Sequence, residues 1–316
     1  MRKIGLLYGM ENTFPPALID RINRRGVEGV VAESLLTGGF RIDQPSPYRL
    51  IIDRISHDIP FYRAYVKNAI LHGAEVINNP FWWSADDKFF NYAIGLKLGV
   101  AVPKTVMLPH HSHPPGTTSE SMRNLQYPLN WEEIFDYLGF PMFMKPHLGG
   151  GWRNVYKVHN PEELYKAYGE TGDLGMVLQE AIEFTEYYRC YCIGRKKVHV
   201  MAYDPRRPHH ERYRLDEDPA KSPLYERIVK DAITLCEALG YDMNTVEFAV
   251  RDGVPYAIDY LNPAPDADRL SVGEANFEWI LEAMADLAIE RALSDAPAAR
   301  DYHWSRFLAG GQGGRP

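Results

Sequence analysis

The chain has 316 residues, 45% of them hydrophobic and 24% charged, with a net charge of −7. That length and balance describe a soluble globular protein with room for two or three packed modules, and they exclude a disordered one. The acidic balance, with no concentrated basic face, excludes nucleic acid as the main partner. Three cysteines, Cys190, Cys192 and Cys236, make neither a disulfide framework nor a metal knuckle. The N-terminal MRKIGLLYGM soon turns polar, and no stretch approaches roughly twenty apolar residues. The expectation is a cytoplasmic protein with no membrane partner.

Taken in chain order, KIGLLY (3–8) reads as a buried strand, and PPALIDRINRRG as a helix opened by Pro15 and Pro16 and stopped at Gly26. RLIIDRI (49–55) reads as a strand, YRAYVKNAILHG (62–73) as a helix and AEVINNP (74–80) as a strand ending in a turn. This alternation predicts a small parallel α/β domain over about 1–100, without the GxGxxG of a dinucleotide site. A helix follows from Asp86 to about Leu98, then VAVPKTVML as a strand or extended entry. The polar segment 110–124 reads as a surface loop, and its three histidines fit no metal spacing. From 131 come a helix (WEEIFDYLG), a strand ending in FMKPHLGGGW, the strand NVYKVH, a helix begun at Asn160 and the strand GMVLQEAI. Downstream lie the strands EYYRCYCIG and KKVHVMAY, an arginine-rich loop, a helix from about Ser222 to Leu239 and the hairpin VEFAVRDGVPYAIDYLN. The glycine-rich end is expected to fray.

FMKPHLGGGW (143–152) is the most specific stretch. Lys145, at a strand end, supplies fixed positive charge. Gly149, Gly150 and Gly151 leave backbone N–H groups able to approach phosphate oxygens without a Cβ in the way. No GK[ST] follows, so this is not the Walker loop. In the hairpin, Glu247 and Asp259 share a face if Arg251-Asp252-Gly253 forms a three-residue loop. A two-residue Asp-Gly turn would instead bring Tyr260 to the Glu247 face. Two carboxylates and the Asn262 amide oxygen make an oxygen-rich site suited to Mg²⁺.

Asp87-Lys88, Lys145 with its glycines, Gln179-Glu180 and the acidic hairpin occur in that order, and with them the chain resembles the ATP-grasp superfamily. HGAEVINNPFWWSADDKFFNYAIGLKLGVAVPKT looks like the matching stretch of the ribosomal-protein glutamate ligases and glutathione synthetases, and the likeness runs from about Gly73 to Pro265. The resemblance implies an α/β plus α+β architecture: an N-terminal parallel α/β domain (1–100), then central (101–182) and C-terminal (183–296) α+β subdomains that clamp ATP, and a flexible tail (297–316). Lys88, Lys145 and the glycines would meet the phosphates. Gln179 and the backbone of Glu180, Ala181 and Ile182 would read adenine.

The family's ribose carboxylate falls at Tyr187, which leaves Glu186 or Glu183 as candidates. Glu247, Asp259 and Asn262 would hold Mg²⁺, with Mn²⁺ as the alternative. The usual Glu-x-Asn here becomes Asp259-Tyr260-Leu261-Asn262, which brings in Asp266 and Asp268 as substitute ligands. Arg189, with Arg207 among the arginines of the 206–214 loop, would hold the substrate carboxylate and the oxyanion. The implied reaction is ATP-dependent joining of a small carboxylate to an amine acceptor through an acyl phosphate, by a chain that the family allows to be a homo-oligomer. A kinase acting on a hydroxyl and a nucleotide sensor of the synapsin type are the competing readings.

Overall fold

The computed structural model describes residues 1–84, 87–126, 128–149, 153–208 and 211–296. Gly150, Gly151, Trp152 and the tail 297–316 therefore lie outside the described residues. The chain divides into two compact units. The first takes residues 1–86, 186–248 and 259–316, the second 87–185 and 249–258.

The first unit opens with the expected alternation. Strands β1 (Arg2–Leu7), β2 (Val30–Ser34), β3 (Leu50–Asp53) and β4 (Glu75–Ile77) form a sheet in the order β2-β1-β3-β4. All three pairings are parallel. Leu50, Ile51 and Ile52 are inaccessible to solvent, as a parallel strand covered on both faces requires. Helix α1 (Phe14–Arg24) carries Pro15 and Pro16 in its first turn, and helix α2 (Pro60–Leu71) starts on Pro60; a proline in the first turn sacrifices no intrahelical bond. Two elements of this unit escape the sequence patterns. Strand β2 has only five residues. Helix α9 (Glu274–Leu293), twenty residues long, buries Ile280, Leu281, Ala283, Met284, Ala285, Leu287 and Ala288. Those side chains surround the helix, so no single-face period marks it.

Helix α3 (Pro80–Trp83) still belongs to the first unit, and the second begins just before α4 (Lys88–Lys97), which was expected inside the N-terminal domain. Asp87 caps α4 by accepting from the Phe90 amide at 2.8 Å. Strands β5 (Thr105–Leu108), β6 (Met142–Pro146), β7 (Tyr156–Val158) and β8 (Met176–Glu180) make an antiparallel sheet ordered β5-β8-β6-β7. Helices α5 (Trp131–Leu138) and α6 (Pro161–Glu170) are each capped by an asparagine, Asn130 and Asn160. Leu138, Met142, Met144, Leu164 and Met176 form the core of this unit.

A third sheet runs β10-β9-β11-β12, from strands β9 (Glu186–Ile193), β10 (Lys197–Ala202), β11 (Met243–Arg251) and β12 (Val254–Asp259). Helix α7 (Tyr225–Leu239) precedes β11 and ends at Gly240, whose φ of +75° is left-handed and whose added Cβ would lie 2.4 Å from the Trp82 ring. The β11–β12 connection is the two-residue turn Asp252-Gly253, with φ of +53° and +71°, not a three-residue loop. Both residues are left-handed, the requirement of the tightest hairpin turn. A short helix α8 (Arg269–Val272) leads into α9. Among the described residues, no helix is long and apolar enough to cross a membrane.

Candidate functional site

In the second unit, Lys145 leaves β6 beside the glycine loop. Its ammonium donates to the Tyr92 hydroxyl at 2.8 Å and lies 5.2 Å from the centre of that ring. Tyr92 in turn donates to the Ile258 carbonyl. The lysine is thus aimed by a phenol that is itself anchored to backbone. Tyr92 follows Lys88 by one helical turn, so the 88/92 spacing in DKFFNY was the available signal for it. The Lys88 ammonium donates to the Gly149 carbonyl, and its amide N–H donates to the His147 carbonyl at 3.0 Å. Gly149 has φ of +82°, which explains a glycine there. The structure therefore brings Lys88, Lys145 and Gly149 to one loop.

The strand expected to read adenine has most of its polar groups engaged within the fold. Gln179 is only 2% exposed, and its side chain donates to the Thr105 hydroxyl at 2.9 Å, so this residue ties β8 to β5. The Glu180 amide N–H donates to the Lys104 carbonyl at 3.0 Å and that of Ala181 to the Pro141 carbonyl at 3.1 Å. The Glu180 carboxylate accepts from the Lys104 amide at 3.1 Å and faces Arg251 at 3.6 Å. Glu180 and Ala181 have thus spent their N–H groups on the fold.

In the first unit, alternation along β9 sends Tyr187 and Arg189 to one face and Tyr188, Cys190 and Cys192 to the other. The three cysteines are buried free thiols. Tyr187 donates to Glu247 Oε2 at 2.5 Å, while Arg189 reaches Glu247 Oε1 at 3.7 Å and the Thr245 hydroxyl at 3.4 Å. Burial disfavours the Arg189 charge, but the Tyr213 phenol and the Glu247 carboxylate outweigh it and hold the pKa above its usual value. Burial, then Glu247 and Asp259, push the Tyr187 phenol well up. A regular ladder from the two-residue turn would put Asp259 on the face away from Glu247. The convergence of Glu247 and Asp259 expected from a three-residue loop therefore does not follow from this hairpin.

Asn262 donates to the Thr245 carbonyl at 3.0 Å, and Asn244 to the Tyr260 carbonyl at 3.0 Å. The Asn78 amide completes the framework with four bonds. Its nitrogen donates to the carbonyls of Met243 (2.7 Å) and Pro263 (2.8 Å), and its oxygen accepts from the amides of Asp242 (2.8 Å) and Met243 (2.9 Å). Every donor and acceptor site of the side chain is used. Asn78 therefore joins the start of β11 to the segment after Asn262. The NNP turn that closes β4 carried it in the sequence without announcing this role.

No family model matches the chain. The D-alanine–D-alanine ligase of Oceanobacillus iheyensis is 25% identical over 190 residues, covering 53% of this chain and 52% of the relative. The chain thus spans about half the length of the curated relative it matches. The solved D-alanine–D-alanine ligase of Bacillus anthracis complexed with ATP aligns with a TM-score of 0.64 at 19% identity, over 92% of this chain and 97% of that one. The RimK domain protein ATP-grasp from Sphaerobacter thermophilus gives 0.61 at 16% identity, over 92% and 100%. The chain has the ATP-grasp fold.

Within the ATP-grasp fold, the remaining expected residues divide. Glu186 is exposed and accepts from the Tyr188 hydroxyl. Arg207 sits in the exposed turn after Asp204, its side chain 42% exposed and 3.8 Å from that carboxylate. Arg206 pairs with the same aspartate at 2.8 Å, and Arg214 with Glu217 at 2.7 Å. Arg206, Arg207 and Arg214 therefore each face a nearby carboxylate, whereas Arg212 donates to the Arg207 carbonyl at 3.1 Å. In the polar 110–124 segment, His111 packs edge-on against Tyr168 at 5.1 Å. Among the described residues, no group of three or more His, Cys, Asp or Glu is placed to hold a metal. The set Glu247, Asp259 and Asn262 is of another kind, two carboxylates and one amide. With the Asn262 nitrogen turned to Thr245, its Oδ1 is the atom left for a ligand. Such hard oxygen donors fit a magnesium ion that takes its other ligands from phosphate and water.

Proposed function

We propose that the protein is an ATP-dependent carboxylate–amine ligase, forming an amide with release of ADP and phosphate. The observation that carries this reading is the presence of two built features, one in each unit, on an ATP-grasp fold. One is a lysine aimed by Tyr92 beside a glycine loop. The other is a carboxylate set whose Glu247 is gripped by Tyr187 and Arg189. A relative named for joining D-alanine to D-alanine supports the same chemistry.

In this reading the second unit binds the nucleotide. The Ile182 N–H donates to the adenine edge, and Lys145 and Lys88 supply the point charges that phosphate oxygens favour. In the first unit Glu247, Asp259 and the Asn262 amide oxygen hold Mg²⁺, which when bound neutralises phosphate charge. Arg189, charged at every working pH and left with an unpartnered buried Nε, offers its planar fork to the substrate carboxylate. Oxygen of that carboxylate attacks the terminal phosphorus of ATP, the bond to the ADP oxygen breaks, and an acyl phosphate forms. An amine then attacks the acyl carbon, phosphate leaves, and the nitrogen gives up its proton. The protein supplies position and charge, with no covalent enzyme intermediate.

Hydroxylamine trapping tests the acyl phosphate. Incubated with Mg·ATP, hydroxylamine and a panel of amino acids and small dicarboxylates, the enzyme should produce a hydroxamate from one acid. A stable phosphate ester with no free phosphate would make it a kinase. ATP binding with neither product from any acid would favour the sensor.

A further inference from the structure

We infer that His147 is a positioning residue for the proposed phosphate loop, its imidazole pinning to β8 the point at which the chain leaves the sheet between Lys145 and Gly149. The inference rests on the reading of that loop as the site of the nucleotide phosphates.

The anchor is built from one residue and one carbonyl. Strand β6 ends at Pro146, which is opposite Met176 and has no N–H to give. The next donor is the His147 amide, which reaches the Gly175 carbonyl at 3.1 Å. The ring returns to the same oxygen, with Nδ1 at 3.0 Å. A carbonyl only accepts, so Nδ1 carries the proton, and the two bonds take both lone pairs of that oxygen. On its other side the His147 carbonyl accepts from the Lys88 amide at 3.0 Å, and the Lys88 ammonium donates to the Gly149 carbonyl. His147 is thus tied to the start of β8 through its amide and ring, and to the start of α4 through its carbonyl. That places it beside Lys145 in sequence and beside Lys88 in space. Leu148, 57% exposed, adds little packing of its own.

Gly175 is shaped to receive the ring. It is buried, and a Cβ added there would lie 2.8 Å from both Nδ1 and Cε1 of His147 and 3.2 Å from Cε of Met107. Any side chain at 175 would therefore move the imidazole off its carbonyl. The backbone of Gly175 is not left-handed, so the close approach of the ring, and not a backbone conformation, calls for glycine there. A loop whose origin is fixed in advance loses less conformational entropy when a phosphate binds. One hydrogen bond of this kind corresponds to about a five- to tenfold change in affinity.

The test measures binding of a non-hydrolysable ATP analogue with Mg²⁺ by calorimetry, and thermal midpoints confirm folding. His147→Ala should raise the dissociation constant about five- to tenfold. His147→Asn places an amide nitrogen where Nδ1 stands and should bind within about twofold of wild type, whereas His147→Gln, whose nitrogen lies one bond further out, should bind as weakly as His147→Ala. Gly175→Ala should weaken binding as His147→Ala does, yet add less than about twofold in the His147→Ala background, where no ring is left to displace. A residue that only stabilised the fold would lower the thermal midpoint and leave these affinities alone. If Lys145→Met weakens binding while His147→Ala stays within about twofold of wild type, or if His147→Asn binds as weakly as His147→Ala, the inference fails alone. If wild type binds no analogue, or Lys145→Met binds it as well as wild type, the phosphate-loop reading fails and takes the inference with it.

Discussion

Replacing Asn78 by alanine removes four buried hydrogen bonds at once, to Met243 and Pro263 carbonyls and from Asp242 and Met243 amides, all between 2.7 and 2.9 Å. Asn78 is 2% exposed, so the backbone groups left behind have little access to water. At about 1 kcal/mol for each lost bond the expected destabilisation is about 4 kcal/mol, and more where a partner stays dry. Urea unfolding followed by tryptophan emission measures it. Trp83, whose indole donates to the Asn78 carbonyl at 3.3 Å, reports from the site itself. The midpoint should fall without a change in slope, because the surface exposed on unfolding is nearly the same.

Asn78→Asp sharpens the test. It keeps the acceptor half but turns a carboxylate oxygen toward two carbonyls. Its folded pKa should therefore exceed that of the unfolded chain, and the variant should regain stability as pH falls, when the protonated acid can donate. A loss below about 1 kcal/mol for Asn78→Ala, or an Asn78→Asp variant as stable as wild type at pH 7, would refute the reasoning.

Lys145→Met should weaken ATP binding by about 10- to 100-fold, the value of one or two charge-assisted hydrogen bonds. Tyr92→Phe, which only releases the aim of that lysine, should cost less; calorimetry with ATP checks both. Arg189→Ala should lower turnover by at least a hundredfold, whereas Arg207→Ala, at an exposed position already facing Asp204, should change it less than about threefold. His199, stacked on Trp279 at 4.7 Å and hydrogen-bonded to Asn276 at 2.7 Å, has its pKa lowered, chiefly by burial. The unfolded chain then binds the extra proton first. Stability should be complete above about pH 6.5, the unfolded value, and fall as pH drops below it toward the folded pKa. His199→Phe should flatten that limb in denaturant titrations at stepped pH.

Much of the fold was legible because local signals agreed with the tertiary result. Prolines opened α1 and α2, asparagines capped α5 and α6, and alternating or continuous apolar runs marked β1, β3, β6 and β8. Helix α9 was missed because burial on nearly all sides erases the period that betrays an amphipathic helix. Strand β2 was missed because Val30–Ser34 is short and ends in polar residues. The hairpin was found, but its loop length was not fixed by sequence. Arg251-Asp252-Gly253 suits either loop, and only the two positive φ values select the shorter.

The candidate site divides in the same way. The charged groups proposed for the chemistry, Lys88, Lys145, Arg189 and Glu247, were singled out by residue type and order. Their partners were not. Tyr92, which holds Lys145, and Tyr187, which holds Glu247, make contacts between segments distant in the chain, and a tyrosine among twenty carries no such mark. Gln179, a polar residue where a ligand role was expected, has a side chain that donates to Thr105 and holds β8 to β5.

The central claim is most directly tested by following ADP and inorganic phosphate release from Mg·ATP across paired acids and amines, with Lys145→Ala as control. The account predicts that one acid and amine pair releases both in equal amounts, with a matching quantity of amide, and that the control loses this activity. ADP release without free phosphate, or release equally fast in wild type and control, would contradict it.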